Sequence, residues 1–195
     1  MQQVILATGN PGKLLELQAL LAPTGWQILA KPASLEIEET GSTFQENAHL
    51  KALQVAKVTG HWALADDSGL EVDALGGAPG VYSARYGSDD ADRIARLLAA
   101  LKETTMRTAR FVCVLAIASP QKVILSVEGI CDGEILDAQR GGGGFGYDPI
   151  FWVPELGKSF AELSTAEKSL HSHRGKAMAA LREAVLKLAT DEANA

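Results

Sequence analysis

Ala63-Leu64-Ala65-Asp66-Asp67-Ser68-Gly69-Leu70 ends an apolar run in two adjacent carboxylates, a hydroxyl and a glycine. Neighbouring carboxylates repel, and a divalent cation such as Mg²⁺ relieves the repulsion because it takes hard oxygen ligands. Asp, Ser and Gly are also turn formers, so a solvated turn accounts for the same residues. A second group lies in Thr8-Gly9-Asn10-Pro11-Gly12-Lys13. A glycine turn ahead of a helix start presents backbone N–H groups to an anion. Thr8 and Asn10 add donors and Lys13 adds a positive charge, although the spacing is not that of a Walker A loop. A third group, Gly141-Gly142-Gly143-Gly144-Phe145-Gly146-Tyr147-Asp148-Pro149, sets an aromatic ring between glycines. Either Phe145 has an open face that a base could stack on, or it tucks into the core and the loop is simply flexible. Four glycines together suit a close approach by a ligand or a loop that moves. A fourth group is Lys168-Ser169-Leu170-His171-Ser172-His173-Arg174-Gly175. His171 and His173, two apart, do not share a helix face, so a metal pair there is disfavoured.

The elements that must hold these groups are legible in outline. Val4 to Ala7 reads as a short buried strand, and Leu14, Leu15, Leu17, Leu20 and Leu21 recur at helical spacing behind it. Trp26 to Ala30 reads as a second strand, followed by a loop with the acidic residues Glu36, Glu38 and Glu39. Ser42 with Gln45, and Thr43 with Glu46, both fit a capping box, predicting a helix to about Val58. Asn47 and Lys51 fall on one face of it, four apart. By residue type alone Lys51 is a solvated lysine. Ala63 to Ala65 is a strand ending in the Asp66-Asp67-Ser68-Gly69 turn, and Ser88 or Asp89 caps a helix across Ala91 to Leu101. Ala109 to Ala118 and Val123 to Glu128 form a hairpin, the first strand apolar on both faces and hence central. Ile150 to Val153 is a further strand. A capping box at Ser164-Thr165-Ala166-Glu167 starts a helix to about Ala189, in which Gly175 marks a bend or a close approach.

Composition narrows the partners. The chain has 195 residues, 47% hydrophobic and 22% charged, with a net charge of −6. That balance argues against a nucleic-acid polymer as partner, since such binding needs a basic face. It leaves room for a small anion held by local cations or a metal. The start of the chain lacks the basic and apolar regions of a signal peptide, and no apolar stretch is long enough to span a bilayer. Cys113 and Cys131 lie in strand-like surroundings and read as free thiols of a cytoplasmic protein that does not engage membranes.

In order and spacing, six segments resemble one family, the inosine triphosphate pyrophosphatases or Ham1-like enzymes. They are Ala7-Thr8-Gly9-Asn10-x-x-Lys13, Glu39-Thr40-Gly41-x-Thr43-Phe44-x-Glu46-Asn47-Ala48, Ala65-Asp66-Asp67-Ser68-Gly69-Leu70, Gly76-Gly77-x-Pro79-Gly80-x-Tyr82-Ser83-Ala84-Arg85, Gly144-Phe145-Gly146-Tyr147-Asp148-Pro149 and Ser172-His173-Arg174-Gly175. The resemblance implies Mg²⁺-dependent cleavage of non-standard purine nucleoside triphosphates (ITP, dITP, XTP) to monophosphate and pyrophosphate. It implies an α/β fold: an elongated mixed β-sheet flanked by helices, with two lobes and a central substrate cleft, in a single domain over residues 1–195. It also implies a homodimer. It assigns Asp67 as general base, and Glu39, Asp66 and Asp67 to the metal, without dividing the work between the two aspartates. Thr8, Gly9, Asn10 and Lys13 would cradle the phosphates, with Lys51 a second cation and Ser68 a donor to substrate. Phe145, with Gly146 and Tyr147, would meet the base, and Asp148, Lys168 and His173 would complete the base and sugar contacts. Arg174 only donates, so it suits a 6-oxo group and rejects the 6-amino group of adenine. Guanine also carries a 6-oxo group, so Arg174 does not account for its exclusion. Two alternatives stand beside this reading: a Maf-like nucleotide pyrophosphatase of other specificity, and a nucleotide-binding regulator without catalysis.

Overall fold

The computed structural model describes residues 2–8, 18 and 21–193, with side chains described as far as 188. Gly9, Asn10 and Lys13, and with them the expected glycine turn and helix start, lie outside the described residues. Among the described residues, seven strands form one sheet: β1 (Gln3–Leu6), β2 (Gln27–Ala30), β3 (Trp62–Val72), β4 (Thr108–Ala118), β5 (Val123–Ile135), β6 (Phe151–Val153) and β7 (Lys158–Ser159). Their order is β2-β1-β3-β4-β5-β6-β7. β1 runs parallel to β2 and β3, while β5–β6 and β6–β7 are antiparallel, so the sheet is mixed. Four α-helices accompany it among those residues: α1 (Phe44–Thr59), α2 (Asp90–Ala100), α3 (Thr165–His171) and α4 (His173–Ala193). Among the described residues no helix is long and apolar enough to cross a membrane. This is the α/β architecture expected, and Cys113 and Cys131 are buried thiols outside any disulfide, also as expected.

The chain divides into two compact units. The first comprises Met1–Asp67, Val114–Glu128 and Ala177–Ala195. Its core is built from Val4, Ile5 and Leu6 of β1, Ala63, Leu64 and Ala65 of β3, and the Ala48, Ala52, Val55 and Ala56 stripe of α1, all buried. Small alanines at i and i+4 let a helix lie close on a sheet, which is how α1 carries polar residues to a fixed place. The second unit comprises Ser68–Cys113 and Gly129–Lys176. Its core is more aromatic, with Phe111, Phe151 and Phe160 meeting at ring-centroid distances of 4.7 to 5.4 Å, packed with Leu70, Val72, Ile94, Leu97 and Ile150.

Three expectations from the sequence are corrected. Asp66-Asp67-Ser68-Gly69 is not a turn: β3 runs straight through it to Val72. Leu70 and Val72, both fully buried, draw the chain onward as a strand, and tertiary burial overrides the turn propensity of the four residues. The helix expected from Ser164 to Ala189 is broken. Ser172 has an extended backbone (φ −71°, ψ 157°), and its hydroxyl accepts from Gly175 N at 3.1 Å, starting α4 afresh. Gly175 is a close approach and not the bend itself, because a Cβ there would collide with the Ser169 carbonyl oxygen. The glycine run serves the protein's own backbone: a Cβ on Gly141 or Gly143 would meet the Ala161 carbonyl oxygen at 2.9 Å, and Gly143 N donates to it at 3.1 Å. Of the two capping alternatives, Asp89 takes α2, accepting from Asp92 N at 2.9 Å.

Candidate active site

In the first unit the site is built outward from the start of α1. Thr43 is its N-cap and accepts from Glu46 N at 3.1 Å, while Glu46 reaches back to Ser42 N at 2.7 Å. One turn on, Asn47 is 1% exposed and its Oδ1 accepts from Gly41 N at 2.8 Å. That bond ties the loop bearing Glu39 to the helix. A further turn places Lys51, whose Nζ donates to Glu39 Oε1 at 2.9 Å and to Asp67 Oδ1 at 2.8 Å. Lys51 is therefore buried and paired, not solvated, and its charge is committed to carboxylates.

Burial pushes the Asp67 carboxyl up from the ordinary aspartate value, Lys51 pulls against it, and Glu39 adds to the rise. Burial also works against the Lys51 charge, but Asp67 and Glu39 outweigh it and hold the ammonium above the ordinary lysine value. Asp67 Oδ2 is buried with no hydrogen-bond partner among the described residues. A buried carboxylate oxygen with an unfilled lone pair fits a hard cation. The described residues hold no group of three or more His, Cys, Asp or Glu placed to share an ion. Successive residues of a strand project to opposite faces. Asp67 leaves β3 on the Lys51 side, and Asp66 and Ser68, both half-buried, leave on the other. Thr8 follows β1 directly, at the point where Ala7 N donates to Leu64 O at 2.8 Å.

In the second unit the site is a turn over residues 144–148. Gly144 (φ +76°) and Gly146 (φ +60°) take the left-handed backbone that glycine alone adopts freely. Asp148 closes the turn from within: its Oδ2 accepts from Phe145 N at 3.0 Å and from Lys168 Nζ at 2.7 Å. Tyr147 is buried beneath, its hydroxyl donating to Ser83 O at 3.0 Å, and burial raises its pKa further above the ordinary tyrosine value. Phe145 is 67% exposed. The ring is therefore not tucked into the core, and the Arg174 guanidinium stands 5.9 Å from its centroid. His173 stacks on Phe111 at 4.7 Å and lies parallel to Phe160 at 6.0 Å. Withdrawal of its ring from water, with Arg174 and Lys168 nearby, lowers its pKa to about 3. His173 is a neutral imidazole, and its Nδ1 is buried without a hydrogen-bond partner among the described residues.

The structure thus brings Glu39, Lys51 and Asp67 together in one unit, and Phe145, Asp148, Lys168, His173 and Arg174 together in the other. Asn47 and Ser83 were visible in the motifs but had been given no role. Asp90, whose carboxylate accepts from Gly146 N at 2.7 Å, carried no signal at all.

The family model of the Ham1 family matches residues 4–184. The chain belongs to the Ham1 family. A relative from Gloeobacter violaceus named dITP/XTP pyrophosphatase is 62% identical over 178 residues, 91% of each chain. One of the same name from Thermus thermophilus is 56% identical and covers 93% of this chain and 91% of its own. Among solved structures, a HAM1 protein from Coxiella burnetii superimposes with a TM-score of 0.93 at 43% identity, covering 96% of this chain and 100% of its own. A nucleoside-triphosphatase (dITP/XTP pyrophosphatase) from Mycobacterium abscessus gives 0.80 at 42% identity, covering 92% and 98%. The mixed sheet with its helices is thus the Ham1 architecture, and this Ham1-family chain spans nearly the full length of each of these relatives.

Proposed function

We propose that this chain hydrolyses non-standard purine nucleoside triphosphates (dITP, XTP and ITP) to the monophosphate and pyrophosphate. The observation that supports the reading is the Lys51 ammonium bound between Glu39 and the buried Asp67, whose Oδ2 has no hydrogen-bond partner among the described residues, in a chain so similar to dITP/XTP pyrophosphatases. Asp67 takes a proton from water, whose oxygen forms a bond to phosphorus at the α–β anhydride linkage. The linkage breaks and pyrophosphate leaves with the bonding electron pair. A carboxylate that also holds Mg²⁺ would be a weak base, so the metal would have to make the attacking water more acidic as well. Lys51 holds Asp67 and Glu39 in register. Mg²⁺, held by Glu39 and Asp67, would neutralise phosphate charge and acidify the attacking water. Thr8, Gly9, Asn10 and Lys13 take the phosphates, and Ser68 donates to the substrate from its own side of β3. Asp66 stands off the Lys51 face and is assigned no proton.

Phe145 offers its open face to the purine. Arg174 reads the 6-oxo group and would be left donor to donor against adenine. Neutral His173 keeps one nitrogen able to accept, and Lys168 and Asp148, with Gly146 and Tyr147, fix the turn. Such substrates arise in the nucleotide pool, so we place the protein in the cytoplasm, and we take it to act as a homodimer. Pyrophosphate release across ITP, XTP, dITP, GTP and ATP with Mg²⁺ tests the reading. ITP, XTP and dITP should be hydrolysed and ATP should not, and EDTA should abolish release. ATP turnover equal to that of XTP would sink the base-reading role of Arg174.

A further inference from the structure

The backbone of the Phe145 turn is held by two carboxylates, and only one of them belongs to the turn. Asp148 binds Phe145 N from inside. The other is Asp90, the first residue of α2 and 56 positions away, whose Oδ2 accepts from Gly146 N at 2.7 Å. Asp90 is not the cap of its helix, because Asp89 fills that place. Its other oxygen meets Arg93 Nη1 at 2.5 Å, which orients the carboxylate. Phe145 is too exposed for packing to set its ring plane. Besides the Arg174 guanidinium 5.9 Å from its centroid, the backbone on either side bears on where the ring sits, and Gly146 at φ +60° has no side chain to help.

We propose that Asp90 is a positioning residue for nucleobase recognition. Its carboxylate fixes the Phe145–Gly146 peptide and so the angle at which the Phe145 ring meets a purine beside Arg174. The inference rests on the reading of Phe145 as the base platform.

The test is steady-state kinetics on XTP with Mg²⁺, with melting temperature as a check on folding. Asp90→Ala should raise KM about tenfold and leave kcat within about twofold, since it removes a charge-assisted bond that orients but does not react. Asp90→Asn keeps an oxygen acceptor and should restore most of the lost affinity. Asp90→Ser is tolerated at a helix start but too short to reach Gly146, and gives the same contrast if the alanine variant does not fold. In the double variant Asp90→Ala with Phe145→Ala, KM should be no higher than for Phe145→Ala alone. Independent, multiplying effects on KM would overturn the proposal, as would kinetic constants unchanged in both Asp90→Ala and Asp90→Ser. If Phe145→Ala itself leaves KM unchanged, the platform reading fails and takes this inference with it. If Phe145→Ala raises KM and Asp90→Ala does not, only this inference falls.

Discussion

The two units of the chain solve opposite problems. In the first, Asp67 is 9% exposed and Lys51 8%, and the working atoms are charges shut away from water. There the strength of an interaction comes from low polarisability around it, and leaving one partner alone is costly. In the second, Phe145 is 67% exposed, and its position is held by hydrogen bonds to the peptides around it. The first arrangement suits chemistry, because it perturbs proton affinities. The second suits recognition, because a bare aromatic face accepts a planar partner without first being dug out of a core. The difference predicts that damage to the first unit appears in turnover and stability together, whereas damage to the second appears in affinity and selectivity.

The contrast can be broken at several points. Asp67→Asn should show the largest effect, with kcat lowered about 10²- to 10⁴-fold and nucleotide binding still measurable by calorimetry. Substantial residual turnover would remove Asp67 as the base. Lys51→Met leaves the buried Asp67 carboxylate without its cation and should cost about 3–5 kcal/mol of stability in urea denaturation, on top of lost activity. A stable, active Lys51→Met protein would show that the carboxylates do not depend on it. Arg174→Ala should lower kcat/KM for ITP about 10- to 100-fold and leave the melting temperature near that of the parent, since a charge-assisted bond to substrate is lost and no core contact is. Near-parental kcat/KM would end its role in reading the base.

A smaller, pH-dependent effect belongs to His173. Its native pKa, about 3, lies below the ordinary value of 6.5. A native pKa that is depressed contributes stability present in full above the unfolded value and lost as pH falls towards the native one. The melting temperature should therefore decline between pH 6.5 and 4 more steeply in the parent than in His173→Gln. Equal slopes would show that the imidazole is not held neutral by its surroundings.

Much of the fold was legible because local and tertiary preferences agree. The Thr43 cap starts α1 where the sequence places it, and the doubly apolar β4 has a neighbour on each side. The failures came where a residue's partner was remote. Asp66 to Gly69 looked like a turn because the burial of Leu70 and Val72 that straightens it is a tertiary event, although the alternation Leu70-Glu71-Val72 carried the signal. Lys51 looked solvated because nothing nearby in sequence shows the carboxylates 12 and 16 residues away that enclose it. Asp90 left no trace, since an aspartate at a helix start has a sufficient local reason to be there.

The interruption at Ser172 has a geometric consequence. In an unbroken helix, at about 100° per residue, Lys168 and Arg174 would leave the axis about 240° apart and could not attend to the same object. One extended residue between α3 and α4 resets that phase. Lys168 then reaches Asp148, and Arg174 reaches the ring three positions before it in the chain. A single serine thus works like a swivel joint, letting one stretch of chain bring two cations to bear on a five-residue loop. A substitution that spliced the helices into one rod would disarm both without touching either.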